Sequence, residues 1–85
     1  MGAEAQPAGR VTHFFDRLSV AVIELYGDLA LGDWVQFFGP QTNFVQQVTS
    51  LQIDRQPIES AGAGEEVALQ TEQPVRKGDH IYHYT

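Results

Sequence analysis

The sequence predicts an all-β domain, a small closed antiparallel barrel of six strands with Greek-key-like connections, and three observations carry that expectation. Short runs rich in β-branched and aromatic residues are punctuated by turn residues about every eight to twelve positions. No stretch carries a helical period long enough to dominate the fold. The chain has 85 residues, 42% of them hydrophobic and 19% charged, which is the composition of a folded chain with one core. It contains no cysteine, so packing alone must hold it together.

Residues 1–8 are small and polar, include Pro7 and show no apolar period, so they read as a flexible tail ahead of a single domain over 9–85. Val11 to Phe15 forms the first run and closes at Asp16-Arg17. Leu18 to Leu25 is the second, with a β-branched centre suited to a pleat. Tyr26-Gly27-Asp28 opens a connection that Gly32-Asp33 ends before the third run, Trp34 to Phe38. Gly39-Pro40 stops that strand, and Asn43 to Asp54 alternates polar and apolar residues. Phe44, Gln46 and Val48 share one face, whereas Leu51 and Ile53 fall out of phase with Val48. One extra residue near Thr49-Ser50 would restore the alternation, so a β-bulge is expected there. Pro57 ends the pairing, Ala61 to Gly64 makes a compact loop, and Val67 to Thr71 is the fifth run. After the turn over Pro74 to Gly78, Asp79 to Tyr84 is the sixth.

A closed barrel this narrow would be filled by its own side chains, here Val35, Phe37, Leu51, Ile53, Val67 and Leu69, with no room for an internal ligand. Function is then confined to the outer wall and the loops. Side chains alternate across a strand, so with Val35 and Phe37 inside, Trp34, Gln36 and Phe38 face outward, and Tyr82 with Tyr84 does the same if Ile81 faces in. Exposed rings of this kind serve interfaces and also act as stacking platforms for bases. They equally stabilise a sheet as cross-strand pairs.

Five basic against eleven acidic residues give a net charge of −6, which opposes unspecific binding to phosphate backbones or anionic lipid. Arg55, Arg76 and Lys77 flank turns and form the only local positive spot expected, either as phosphate contacts or as solvated turn charges. The longest apolar stretch, Val20 to Ile23, is far short of a membrane helix, and with no thiol chemistry the chain reads as cytoplasmic. There is no phosphate-binding glycine loop: Gly62-Ala63-Gly64 is followed by Glu65-Glu66, which repels phosphate. No nucleotide, other cofactor or metal is expected. His80 and His83 are set at an odd offset that points them to opposite faces of a strand. His13 would meet them only if the first and last strands pair. Ser19, Ser50 and Ser60 have no histidine patterned beside them, and a solvated Glu65-Glu66 pair has nothing to raise a carboxyl pKa. No catalytic residue is assigned.

Five segments carry a resemblance. Gly9-Arg-Val-Thr-His-Phe14 followed by Val22-Ile-Glu-Leu-Tyr-Gly-Asp-Leu-Ala-Leu-Gly-Asp-Trp-Val-Gln-Phe-Phe-Gly39 is similar to the second, β-barrel domain of translation GTPases such as elongation factor Tu. Val48-Thr-Ser-Leu-Gln-Ile53, Ala61-Gly-Ala-Gly-Glu-Glu-Val-Ala-Leu69 and Arg76-Lys-Gly-Asp-His-Ile81 resemble that family's bulged strand, its glycine turn and its closing strand. Many members have Thr-Gly-Arg where Val20-Ala21-Val22 stands here, so a contact by that arginine does not carry over, and no GTP-binding domain accompanies the barrel. The resemblance implies a non-catalytic interaction module. It would dock to a protein or ribonucleoprotein partner through Trp34, Gln36, Phe38, Tyr82 and Tyr84 with Arg55, Arg76 and Lys77. An RNA-binding accessory factor in translation is the alternative. Similar barrels are also appended to larger enzymes, including collagenase-like peptidases, and a small hydrolase built on His13, His80 or His83 is the remaining reading.

Overall fold

The computed structural model describes residues 6–85, and every regular element in it is a strand. The tail expected over 1–8 falls mostly outside the described residues. Within them, Ala8 is buried and already bonded on both sides: its N–H donates to the Ile81 carbonyl at 2.6 Å and its own carbonyl accepts from the Tyr26 N–H at 2.7 Å.

Each of the six expected runs is a strand: β1 (Gly9–Phe15), β2 (Val20–Leu25), β4 (Trp34–Gly39), β5 (Thr42–Gln47), β9 (Glu66–Gln70) and β10 (His80–His83). Four two-residue strands complete the set, β3 (Leu29–Ala30), β6 (Gln52–Ile53), β7 (Gln56–Pro57) and β8 (Ser60–Ala61). One antiparallel sheet runs in the order β5-β4-β10-β1-β2-β9-β6-β7, and β3 pairs with β8 as a separate ribbon. The order has two ends, β5 and β7, with no ladder between them, so the expected closed barrel is corrected to a curled open sheet. The curl still wraps one core. Val11, Ala21, Ile23, Val35, Phe37, Val67, Leu69 and Ile81 alternate inward along their strands, and Phe37 stacks on its cross-strand partner Phe44 with ring centroids 5.2 Å apart. Of the six side chains expected inside, Ile53 alone is only half-buried.

What replaces the missing ladder is a side chain. Gln46 on β5 is 2% exposed, and its amide donates to the Gln70 carbonyl at 3.0 Å and accepts from the Glu72 N–H at 2.7 Å. One residue of β5 thereby reproduces, across the gap to the end of β9, the paired donor and acceptor of a strand neighbour. In the segment between β5 and β6 the Ser50 hydroxyl accepts from the Gln70 N–H at 3.1 Å, so both backbone groups of Gln70 are held by side chains, Gln46 of β5 and Ser50 beyond it.

That segment also explains the phase slip at Thr49-Ser50. The chain is not bulged against one partner there. It leaves β4 after Gln47 and crosses to β9, where Gln52 pairs with Ala68. Val48 and Leu51 are both buried because the alternation restarts on a new strand pair. The bulge in the sheet lies in β1, where the register against β2 shifts between Val11 and His13; the extra residue, Thr12, sends its hydroxyl to the Val22 carbonyl at 3.2 Å. A bulge of this kind increases local twist, which is what the curl needs.

Three turns share one construction. In Ala30–Asp33, Gly62–Glu65 and Arg76–Asp79 the fourth N–H donates to the first carbonyl at 3.1, 3.1 and 2.9 Å. The third residue is a glycine with φ of +91°, +88° and +94°. This is a type II turn, whose third position needs the left-handed freedom of glycine. In each, the carboxylate of the fourth residue also accepts from the first N–H, at 3.0, 2.8 and 2.9 Å. The Gly-Asp and Gly-Glu pairs quoted above are therefore turn devices that satisfy their own backbone.

Candidate functional site

The register of β5, β4 and β10 fixes the wall. Gln36 sits between Val45 and Tyr82, Phe38 between Asn43 and His80, and Trp34 beside Gln47, with the Tyr84 N–H donating to the Trp34 carbonyl at 2.8 Å. Trp34, Phe38 and Tyr84 are each about half exposed, at 51%, 48% and 51%. The Gln36 amide donates to Asn43 Oδ1 at 2.7 Å and so is anchored on the wall. Trp34, Gln36, Phe38, Tyr82 and Tyr84 thus come together as expected, joined by Val45, Asn43, Gln47 and His80, and none of these nine side chains is an acid, a lysine or an arginine.

The expected positive spot does not assemble. Arg55 is the second residue of the two-residue turn between β6 and β7, at the far side of the sheet order from β4, and its φ of +66° follows +50° at Asp54, the backbone of a type I′ hairpin. Arg76 and Lys77 occupy the turn ahead of β10. The expected joint role of the three cations is corrected: two different turns hold them, one between β6 and β7 and one ahead of β10.

His13 lies against Phe15, ring centroids 4.3 Å apart, and pairs with Val22; β10 meets β1 only at Gly9 and Arg10, so His13 does not join the other two histidines. His80 lies on the wall beside Tyr82, and His83 Nε2 is 3.2 Å from Asp33 Oδ2. Among the described residues no three His, Asp or Glu side chains gather in metal-binding geometry. Ser19 carries a turn at φ +55° and Ser50 holds Gln70.

A second surface has no counterpart in the sequence reading. Strand direction puts the ends of β2 and β10 and the start of β4 at one end of the curl, the upper end. An open groove there is lined by Gln6, Pro7, Tyr26, Asp28, Asp33 and His83, among others. Tyr26 and Leu31, 46% and 41% exposed, lie on the β2–β4 connection at that end. The available signal was a large apolar residue inside each of two turn-rich tracts, Tyr26-Gly27-Asp28 and Leu31-Gly32-Asp33, where polar residues are the norm. No helix long and apolar enough to cross a membrane occurs among the described residues.

Residues 4–81 match the sequence family described as Peptidase family U32 C-terminal domain. An uncharacterized protease of Methanocaldococcus jannaschii is 41% identical over 75 residues, which is 87% of this chain and 18% of that protein. A collagenase of Porphyromonas gingivalis is 31% identical over 78 residues, 89% of this chain and 19% of that protein. The chain therefore spans less than a fifth of the length of the curated relatives it matches. Two crystal structures of the C-terminal domain of a Geobacillus thermoleovorans protein described as a U32 peptidase share the fold. One has a TM-score of 0.85 at 21% identity, covering 91% of this chain and 98% of that one. The other has a TM-score of 0.90 at 20% identity, covering 94% and 93%. The translation-factor assignment is overturned by these matches, and the RNA-binding and ribonucleoprotein readings that depended on it fall with it. The residues that carried it are turn and core positions, which prescribe a backbone path and leave the family open. The chain belongs to the U32 peptidase C-terminal domain family.

Proposed function

We propose that this chain is a non-catalytic accessory domain that works with a U32-type peptidase body. One observation carries the reading: the chain is coextensive with a solved C-terminal domain, covering 98% of it, yet accounts for 18% and 19% of the two protease relatives. More than four-fifths of each relative lies outside the matched region, and peptide hydrolysis belongs to that part. The interior of the curl is occupied by Phe37, Leu51, Leu69 and Ile81, so engagement takes place on the exterior. Kinship with the P. gingivalis collagenase makes a collagen-type polypeptide the substrate to try first for the assembly.

The test has two arms. The purified chain, incubated with gelatin and with quenched fluorogenic peptides with and without divalent metals, releases no product. A protease body from which the matching region has been removed changes its turnover or its thermal stability when the chain is added. Hydrolysis that co-elutes with the chain as a single species overturns the reading, as does a body indifferent to the chain in both properties.

A further inference from the structure

We infer that the upper end of the curl, carrying Tyr26, Leu31, Trp34 and Tyr84 amid carboxylates, is the surface that docks the peptidase body, and that the complementary surface is apolar with a basic rim. This deepens the accessory-domain reading and rests on it.

Four of the seven large hydrophobic side chains that stand exposed among the described residues belong to this end, and the other three are Phe15, Leu18 and Phe38. Tyrosine and tryptophan dominate the energetics of protein interfaces because each buries a large rigid ring at small entropic cost and still offers a polar atom. Tyr26 and Leu31 ride on the connection from β2 to β4, and Trp34 and Tyr84 are tied together by the 2.8 Å backbone hydrogen bond. Turns with saturated backbones hold this end in shape: Ala30–Asp33 and Gly62–Glu65 are two of the three type II turns, and the Gly64 N–H donates to the Leu25 carbonyl at 2.9 Å. A preformed surface of this kind loses little entropy on docking.

The occupant follows from where residues 6–8 lie. Residues 6–8 run beside β10, where Ala8 bonds to Ile81, and Gln6 and Pro7 line the same groove as Tyr26, Asp28, Asp33 and His83. In the relatives, more than four-fifths of the protein lies outside the matched region. A body that precedes a C-terminal domain approaches from the side where residues 6–8 lie, so the upper end is the part of the surface it reaches first.

Charge states what that body must present. The segments meeting at this end, 6–8, 26–33, 59–66 and 83–85, contain Asp28, Asp33, Glu59, Glu65 and Glu66 and no lysine or arginine. Of the five cations, Arg17, Arg76 and Lys77 lie in turns at the opposite end, Arg10 is paired with Glu24 at 3.6 Å, and Arg55, at the tip of the β6–β7 hairpin that runs antiparallel to β9, is the one cation left facing the five carboxylates. A second copy of the chain would bring this acidic end against its own image, so like charges oppose self-association there.

The probe is the M. jannaschii protease lacking the region that matches this chain, titrated calorimetrically with the purified 85-residue protein. Trp34→Gln with Tyr84→Gln, and separately Tyr26→Ser with Leu31→Ser, each weaken Kd about tenfold or more. Asp28→Asn with Glu59→Gln weakens it less and flattens its dependence on salt. Phe15→Ser with Leu18→Ser, an equally apolar pair at the opposite end, leaves Kd unchanged, and unfolding curves for all variants establish that each is folded. Binding lost through Phe15 and Leu18 but insensitive to both upper-end pairs overturns the inference and leaves the accessory-domain reading standing. Absence of any wild-type binding overturns both. A dimer in light scattering that the Trp34 and Tyr84 changes dissolve assigns the surface to a second copy and overturns the inference.

Discussion

A Cβ built on Gly39 would collide with the carboxylate of Asp79, which is 2% exposed and holds the Arg76 N–H at 2.9 Å. Glycine is required there for room. Gly78 makes the contrasting case: nothing lies within 4 Å of its absent Cβ, and only its φ of +94° demands glycine. Gly78→Ala is therefore expected to cost about 1–2 kcal/mol of backbone strain. Gly39→Ala must displace a buried carboxylate from its hydrogen bond and is expected to cost about 3 kcal/mol or more. Urea unfolding of the two variants checks the order. Arg55 belongs with the backbone effects, since both residues of its turn have positive φ. Arg55→Gly relieves that strain and should raise stability by roughly 1 kcal/mol in the same measurement. The outward rings of Trp34 and Phe38 could be read from the sequence because strand alternation needs only local information. The role of Arg55 could not, because its pair of left-handed residues is set by how Ile53 finds Gln56.

Among the elements, all six longer strands were legible as runs of β-branched and aromatic residues between turn residues. The four two-residue strands were not, since each is defined only by its partner. The irregularity between Val48 and Leu51 was visible, but its cause was not: a slip in alternation looks the same whether a strand bulges or changes partner. Gln46 is the residue that decides how the partner change is held. An inward-facing glutamine between Phe44 and Val48 read as one more position in an alternating strand, whereas it bonds to Gln70 and Glu72 across the gap. Gln46→Leu keeps the burial and removes both bonds, leaving a carbonyl and an N–H unmet at an expected cost of about 2 kcal/mol. Hydrogen exchange at the Glu72 amide should accelerate more in this variant than exchange at the β1–β2 ladder. Equal acceleration everywhere would mean that Gln46 contributes only to global stability.

For the molecule as a whole, closure was the expectation that failed. Six long strands and a filled interior are compatible with a cylinder, but a cylinder also requires its first and last strands to meet, and here Gln46 and the short strands β6 and β7 occupy that seam. The consequence drawn from closure survives without it, because the curl is packed by its own side chains and only the exterior is available. That exterior divides by charge. Its upper end is aromatic and mostly acidic, its lower end sets Arg17, Arg76 and Lys77 beside Asp16 and Glu72, and the wall between them on β5, β4 and β10 carries no acid, lysine or arginine. On the proposed reading, the upper end is the face turned toward a peptidase body. Amide exchange of the chain, measured by mass spectrometry with and without the M. jannaschii protease body, tests the account most directly. Slowed exchange over residues 26–34 and 83–85, with 15–18 and 72–78 unchanged, is the predicted footprint; protection confined to the latter segments, or none anywhere, would contradict it.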